Sequence, residues 1–204
     1  MKITKLEYQK KNPERVSVYV DGKFAVGLGA NDIIKLGIYN GQEISQQDLQ
    51  KIISESEFGK LYNSALNFLS YRPRSEWEVR FKLGKKNDDQ EIDAVVEKLK
   101  AIKQIDDEAF CRWFIDQRTT FRPKGERALK YELARKGISK EIISKVFEAQ
   151  EKPVSDFELA QRVAVKKFGE KVSLEEKPRI QRFLASRGFN YDVIKEVWNK
   201  VGKE

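Results

Sequence analysis

The chain has 204 residues, of which 40% are hydrophobic and 35% charged, and a formal net charge of +8. Histidine is absent and cysteine occurs once, which excludes Ser-His and Cys-His catalysis, histidine metal sites and an internal disulfide. No apolar run approaches the roughly 18 residues of a membrane helix, and the N-terminus has no signal-peptide core. We therefore expect a cytoplasmic protein. An enzyme is less expected but stays open at this point, since carboxylates or lysines could serve in catalysis.

The first part of the chain, residues 1–57, is predicted to form a small β-containing module. The stretches "ITKLEYQ" and "RVSVYV" alternate apolar and polar residues, as half-buried strands do. Asp21-Gly22 follows as a two-residue hairpin turn and leads into "KFAVGL". Short helices are expected at "ANDIIKLG" and after Ser45, a candidate N-cap. Acidic and basic residues balance in this module, so the positive excess lies in residues 58–204.

From about residue 58 the apolar spacing becomes helical, and a repeat of about 50 residues is present. The segment "YRPRSEWEVRFKL" (71–83) is echoed by "FRPKGERALKYEL" (121–133). Shifts of 50 and then 51 residues superpose three copies, which predicts a buried stripe on the second helix and another on the third helix of each copy. The superposed apolar residues are Val79, Leu129 and Ile180; Leu83, Leu133 and Leu184; Ile92, Ile142 and Val193; and Val96, Val146 and Val197.

The ends of these helices recur at the same spacing. A residue that tolerates the left-handed conformation ends each second helix, a cation precedes it, and an N-cap residue follows two positions later. The predicted stops, cations and caps are Asn87, Gly137 and Gly188; Lys86, Lys136 and Arg187; and Asp89, Ser139 and Asn190. Two first helices also have start signals, namely Asp106 with an Ile105–Phe110 staple, and a Ser155–Glu158 capping box.

The expected fold is mainly α, with three tandem three-helix repeats preceded by the small β-containing N-terminal module. One such unit buries little apolar area, so neighbouring units are expected to pack on one another. The predicted limits are 1–57 for the module and 58–105, 106–151 and 152–204 for the repeats, with Pro153 at the last boundary.

Several residues have both a functional and a structural interpretation. The acidic run Asp106–Glu108 could hold a metal or act in acid–base chemistry, but acids are also favoured in the first turn of a helix, which we prefer. Cys111 adjoins an apolar stripe and is expected to be a buried, unreactive thiol. Trp113 and Trp198 lie on core stripes. Trp77 superposes on Arg127, so this position is a candidate for an outward-facing contact.

Basic residues around the echoed segment are the strongest functional lead. Arg72 and Arg74 flank Pro73, and the residue before a proline is pushed towards an extended conformation. Ser75 is predicted to open the next helix, with Glu78 completing a capping box. Cations repeated along stacked units would form a stripe suited to a polyanion or a filament, and the alternative is solvated charges paired with nearby acids. The candidate contact residues are Arg72, Arg74, Trp77, Arg80, Arg118, Arg122, Lys124, Arg127, Lys130, Arg179 and Arg182.

Four motifs make the chain resemble the RecX family, regulators of the RecA recombinase. They are "YRPRSEWEVRFKL" with its Ser-x-x-Glu start, "IDDEAFCRWFIDQR" (105–118), "KGERALKYELARKGISKEII" (124–143) and "RFLASRGFNYDVI" (182–194). The resemblance covers about residues 60–200. The N-terminal module lies outside this shared core and resembles an extra segment of some longer members.

The resemblance implies an elongated, curved set of three repeats without catalysis or cofactor. It implies binding in the groove of the RecA filament on single-stranded DNA, with weak, non-specific contact to single- or double-stranded DNA, and restraint of filament growth, ATP hydrolysis and strand exchange. We expect a monomer with no membrane association. The alternative is a helix-turn-helix-like DNA-binding regulator that recognises one duplex sequence.

Overall fold

The computed structural model describes residues 1–84, 88–149, 155–170 and 172–202. The chain divides into two compact units. The first unit comprises Met1–Phe68 and Leu83–Lys98, and the second comprises Leu69–Lys82 and Leu99–Glu204.

The first unit contains the predicted sheet. Strands β1 (Ile3–Gln9), β2 (Asn12–Val20) and β3 (Lys23–Gly29) are antiparallel neighbours in the order β1-β2-β3. The turn between β2 and β3 is the predicted one, because Asp21 and Gly22 have φ angles of 49° and 82°, as a type I′ hairpin turn requires. One face of the sheet forms a core whose buried members are Ile3, Val18, Val20, Val26, Leu28, Ile38 and Ile44.

Two helices follow the sheet, α1 (Ala30–Lys35) and α2 (Gln46–Ser70). Ser45 caps α2 as predicted, since its Oγ accepts a hydrogen bond of 3.1 Å from the backbone N–H of Asp48. The expectation of a short helix here was wrong, because α2 has 25 residues and runs across the predicted limit at residues 57/58. The only glycine within α2 is Gly59, and one interior glycine costs a helix about 1 kcal/mol without ending it.

Among the described residues, eight further α-helices follow in sequence. The helices are α3 (Glu76–Leu83), α4 (Asp89–Ala101), α5 (Asp107–Phe121), α6 (Glu126–Ala134), α7 (Lys140–Glu148), α8 (Asp156–Phe168), α9 (Lys177–Ser186) and α10 (Tyr191–Val201), with a short 3-10 helix, Leu174–Glu176, before α9. The mainly α fold with three helical triplets behind a small sheet is confirmed. The domain limits stay predictions, and Pro153 lies outside the described residues. In the part of the chain that the structure describes, no helix has the length and apolar character needed to cross a membrane.

Most of the predicted caps and stops are confirmed. Side chains accept a hydrogen bond from the third residue ahead at four helix starts: Asp106 at 2.8 Å, Ser139 at 3.3 Å, Ser155 at 3.1 Å and Asn190 at 2.8 Å. Gly137 and Gly188 have φ angles of 79° and 82° after α6 and α9, which is the left-handed conformation expected of a helix stop. The predicted stop Asn87 and the cation Lys86 lie outside the described residues.

The stripe on the second helices is confirmed. Its residues are all at most 3% exposed: Val79, Leu83, Leu129, Leu133, Ile180 and Leu184. In the second unit, Leu129 and Leu133 pack in one core with Phe110 and Phe114. Ile180 and Leu184 belong to a separate core with residues of α8 and α10.

The predicted superposition of the third helices was wrong by one residue in the first copy. The carbonyl of Asp88 accepts from the N–H of Ile92 at 3.1 Å, so Asp88, and not Asp89, is the N-cap of α4. A constant shift of 51 then superposes the residues that are buried, while Ile142 and Val193 are only half-buried. The corrected sets are Ile92, Ile143 and Ile194, and Val95, Val146 and Val197. The reason is that one residue fewer separates Leu83 from Asp88 than separates Leu133 from Ser139.

Candidate partner-binding surface

The acidic run at the start of α5 serves the fold. Asp106 caps α5, the carboxylate of Asp107 accepts from the backbone N–H of Glu76 at 2.8 Å, and Glu108 pairs with Arg112 and Lys145. The interpretation as a helix start is therefore confirmed. Among the side chains that the structure describes, no group of three or more His, Cys, Asp or Glu residues could hold a metal ion.

The cysteine and tryptophan candidates differ in burial. Cys111 is fully buried, and burial raises the pKa of its thiol to about 11, as expected of an unreactive cysteine. Trp198 is buried and Trp113 packs against the second-repeat core, as predicted. Trp77 is 47% exposed and stacks on Phe81 with ring centroids 5.3 Å apart, so its predicted outward position is confirmed.

Arg72 takes part in an ion cluster. Its guanidinium donates to both carboxylate oxygens of Glu78, at 3.0 and 2.9 Å, and Lys136 Nζ donates to the same carboxylate at 2.6 Å. Burial alone raises the pKa of Glu78, but the hydrogen bonds and charges of Arg72 and Lys136 outweigh burial and lower that pKa to about 2. The guanidinium carbon also lies 5.7 Å from the centre of the Trp113 ring. Arg72 is therefore held in place by the protein itself.

This cluster corrects the predicted capping box. Ser75 does cap α3, because its Oγ accepts from the N–H of Glu78 at 3.2 Å, and that Oγ also donates to the carbonyl of Lys136 at 2.7 Å. The carboxylate of Glu78, however, makes the ion pairs with Arg72 and Lys136 and is not the return partner that the box requires. Charge-assisted, bidentate hydrogen bonds are stronger than one bond to a neutral N–H, which accounts for the difference.

A second ion cluster joins two more of the predicted contact residues. Glu132 accepts from Arg118 at 2.9 Å and also pairs with Lys124. Burial raises the pKa of Glu132, but its hydrogen bonds to Lys124 and Arg118 outweigh that effect and lower the pKa below its usual value. Arg118 lies 4.7 Å from the centre of the Phe114 ring. Both cations are thus half-buried and already paired.

Four other predicted residues have partners three or four positions earlier in the sequence. The pairs are Arg80 with Glu76 at 2.7 Å, Lys130 with Glu126 at 2.6 Å, Arg179 with Glu176 at 3.9 Å, and Arg182 with the carbonyl of Pro178 at 3.3 Å. The alternative interpretation of the cations, charges paired with nearby acids, therefore describes much of the predicted set.

The remaining predicted cations differ from one another in burial. Arg74 is half-buried, and burial, followed by the charge of Arg72, lowers the pKa of its guanidinium. Arg122 and Arg127 are exposed, and neither pairs with a carboxylate among the residues that the structure describes.

The structure brings three predicted residues together in one groove of about 460 Å³. Arg72, Arg118 and Arg122 line this groove, which we call the first groove, with Lys136, Trp113, Phe114, Gln117 and Phe121. Arg80, Lys130, Arg179 and Arg182 make their contacts elsewhere on the second unit. A single continuous stripe through all eleven predicted residues stays a prediction.

A second groove, of about 580 Å³, contains cations that are not among the predicted contact residues. Arg122 also lines this one, with Arg162, Lys166, Lys167 and Arg187, and with Phe121, Phe183 and Pro123. Arg187 was noted only as a cation in a last helical turn. A sequence signal for Arg162 and Lys167 was available in the helix caps Asp106 and Ser155, which are 49 residues apart. A shift of 49 residues superposes Arg118 on Lys167 and Trp113 on Arg162.

Fold and surface together define a tandem three-helix-repeat protein with a small N-terminal sheet and cation-lined grooves on its second unit. Family models match most of its length. The model described as the regulatory protein RecX N-terminal domain matches residues 1–45, and those of the first, second and third RecX three-helix domains match residues 62–99, 106–146 and 155–198. The N-terminal module, expected to lie outside the shared core, thus has its own RecX model.

Curated relatives and solved structures agree with these models. The regulatory protein RecX of Clostridioides difficile is 32% identical over 98% of this chain and 95% of its own length, and that of Bacillus subtilis is 33% identical over 99% and 78%. A crystal structure of regulatory protein RecX matches with a TM-score of 0.68 at 25% identity and covers 97% of this chain and 98% of its own. A RecX structure from Lactobacillus salivarius, 24% identical, shares the fold with a TM-score of 0.58 and covers 71% and 96%. The chain belongs to the RecX family of regulatory proteins.

Proposed function

We propose that this protein binds the RecA filament on single-stranded DNA in the cytoplasm and lowers its ATP hydrolysis, extension and strand exchange during DNA repair and recombination. The observation that carries this proposal is family membership along nearly the whole chain, from the N-terminal domain to the third three-helix domain. The protein acts by binding, as a monomer and without a cofactor.

The charge distribution supports a polyanionic partner. The positive excess lies beyond residue 57, where 32 basic residues face 24 acidic ones. The ion clusters of Glu78 and Glu132 use part of this charge to hold loops and helices together. Exposed cations such as Arg122 and Arg127 remain for a partner, and a filament of RecA and DNA offers phosphates and acidic side chains at regular intervals.

The proposed function is tested by adding the protein to RecA from the same organism assembled on single-stranded DNA. The expected result is a fall in ATPase and strand-exchange rates at substoichiometric amounts of the added protein, because one bound molecule restrains many RecA subunits. Unchanged rates at a stoichiometric excess would contradict the proposal. A strong preference for one duplex sequence in a competition assay would instead support the helix-turn-helix-like regulator.

A further inference from the structure

The second groove combines charge with exposed aromatic surface. Arg162 and Lys166 lie one turn apart on α8, Lys167 adjoins them, and Arg122 and Arg187 complete the lining. Phe121, at the end of α5, is 71% exposed and borders both grooves. The groove therefore offers five cations and an accessible ring within one concave surface.

The first and second grooves are successive copies of one structure. A shift of 50 residues superposes Arg72 on Arg122, a shift of 51 superposes Lys136 on Arg187, and the shift of 49 between the caps Asp106 and Ser155 superposes Arg118 on Lys167. The backbone bonds recur as well. Asp107 accepts from the N–H of Glu76, and the superposed Asp156 accepts from the N–H of Glu126 at 3.2 Å. The cations of the two grooves are therefore placed by the same local architecture.

The acids that neutralise the first groove have no counterparts in the second. Glu78, which pairs with Arg72 and Lys136, superposes on Ala128. Glu132, which pairs with Arg118 and Lys124, superposes on Phe183. The sequence thus removes both carboxylates and keeps three of the four cations around them, since the fourth, Lys124, superposes on Glu175.

Three of the five cations of the second groove contact neutral groups. Arg162 donates to the carbonyl of Thr119, and Arg187 donates to the carbonyl of Pro123 at 3.3 Å. Lys167 Nζ lies 4.0 Å from the centre of the Phe183 ring, and the Arg187 guanidinium lies 4.7 Å from it. Within residues 1–84, 88–149, 155–170 and 172–202, none of the five pairs with a carboxylate. Each guanidinium has five N–H donors, so most of this capacity remains available.

We propose that the second groove binds the phosphodiester backbone of single-stranded nucleic acid, with an unpaired base against Phe121. Guanidinium groups bind phosphate oxygens with two parallel hydrogen bonds, and lysines add charge without a fixed geometry. A volume of about 580 Å³ is within the range of small-ligand sites and accommodates a nucleotide unit.

An exposed phenylalanine beside the cations favours single-stranded nucleic acid over the other polyanions. An aromatic ring stacks on the face of an unpaired base, and such a face is inaccessible inside a duplex. A run of Asp and Glu side chains would satisfy the cations but has no planar group for Phe121. The inference rests on the proposed function, since the strand would be the DNA within the RecA filament.

The test measures binding of a fluorescein-labelled oligothymidylate to the full-length protein by fluorescence anisotropy, without RecA and at several salt concentrations. The groove variant is Arg122→Gln, Lys166→Gln and Lys167→Gln. The matched control is Arg135→Gln, Lys140→Gln and Lys195→Gln, three exposed cations of the same unit that lie outside both groove linings. Both triple variants lose three positive charges, so only position differs, and circular dichroism checks that each is folded.

The expected result is at least a tenfold loss of affinity at low salt for the groove variant, with a salt slope reduced by about 2, and a much smaller change for the control. Phe121→Ala should weaken oligothymidylate binding but leave binding of inorganic polyphosphate unchanged. Equal losses in the two triple variants, or no binding by the unaltered protein, would overturn the inference. So would equally tight binding of a poly-glutamate peptide that the groove variant also loses. Because RecA is absent, this assay can fail while the ATPase effect on RecA stands, and the reverse is also possible.

Discussion

The first and second grooves have the same backbone framework and opposite charge balance. In the first, Glu78 and Glu132 neutralise the surrounding cations and bind successive helices together. In the second, the superposed residues are Ala128 and Phe183, and the cations pair with no described carboxylate. We conclude that the cations of this repeat have two separable roles, one within the fold and one towards a partner. The position of a cation in the repeat does not by itself decide which role it has.

The shared framework is maintained by small polar contacts and close packing. Beside each groove the start of one second helix meets the end of the next, and we call these two contacts the first and second junctions. At the first junction, Ser75 Oγ donates to the carbonyl of Lys136, and at the second the N–H of Gly125 donates to the carbonyl of Arg187 at 3.0 Å. The superposed stops Gly137 and Gly188 lie tightly against Trp77 and Ala128. Because the second framework forms these contacts without carboxylates at the superposed positions, the second copy keeps its shape without them.

The largest loss of stability is expected in the buried cores, where the two copies are alike. Leu133→Ala and Leu184→Ala each truncate a fully buried side chain, and each should lower the free energy of unfolding by about 2–5 kcal/mol. Urea denaturation followed by circular dichroism measures both costs. If one variant lost less than about 1 kcal/mol, the two cores would not be equivalent.

The second-largest loss of stability is expected at Glu78, which is present in the first copy and absent from the second. Glu78→Gln leaves Arg72 and Lys136 without their carboxylate and should cost roughly 2–3 kcal/mol at pH 7. The pKa of Glu78 is lowered to about 2, so the folded state favours the carboxylate more than the unfolded state does. Its stabilisation is therefore complete above pH 4.5 and is lost as the pH falls towards 2.

The measurement is the difference in unfolding free energy between the unaltered protein and Glu78→Gln at several pH values. This difference should narrow steadily between pH 4.5 and pH 2. A difference that stays constant over this interval would mean that the charge of Glu78 contributes nothing to stability.

A smaller cost is expected at the two helix stops. Both glycines have a positive φ, and a Cβ added to Gly137 or Gly188 would approach the Cβ of Trp77 or Ala128 to 2.3 Å. Gly137→Ala and Gly188→Ala should each cost about 1–3 kcal/mol. Gly59→Ala is the matched control, because this helical glycine faces open space and its replacement should stabilise α2 by about 0.5–1 kcal/mol. A neutral outcome at both stops would exclude close packing at the junctions.

The smallest change in stability is expected at the arginines that precede the two prolines, and it should differ between them. Arg72→Gln removes a bidentate ion pair and should cost about 1–2 kcal/mol. Arg122→Gln removes an exposed cation without a described partner and should change stability by less than about 0.5 kcal/mol. Thermal melting compares the two variants directly, and equal losses would show that Arg122 is also structural.

Much of the fold could be predicted because it depends on local signals. The hairpin turn at Asp21-Gly22, the caps at Asp106, Ser139, Ser155 and Asn190, and the stops at Gly137 and Gly188 each follow from the residue type and its immediate neighbours. The length of α2 could not be read in this way, because Gly59 weakens a helix without ending it.

The candidate surface was less predictable because ion pairs depend on side chains distant in sequence. Glu78 lies three residues after Ser75, which favoured a capping box, yet its carboxylate pairs with Lys136, 58 residues away. Arg118 and Lys124 similarly meet at Glu132. Spacing along the chain identified where cations accumulate, and only the structure shows which of them are neutralised.

The role of the missing carboxylate is tested most directly by giving the second groove the acid that the first groove has. Ala128→Glu introduces a carboxylate at the position in the repeat that Glu78 occupies, and Ala128→Gln introduces a side chain of the same shape without the charge. Both variants should remain folded by circular dichroism, and anisotropy with oligothymidylate then compares their affinities at low salt. Binding of oligothymidylate should be at least fivefold weaker for Ala128→Glu than for Ala128→Gln. Equal affinities of the two variants would contradict the claim that the missing carboxylate makes the second groove a binding site.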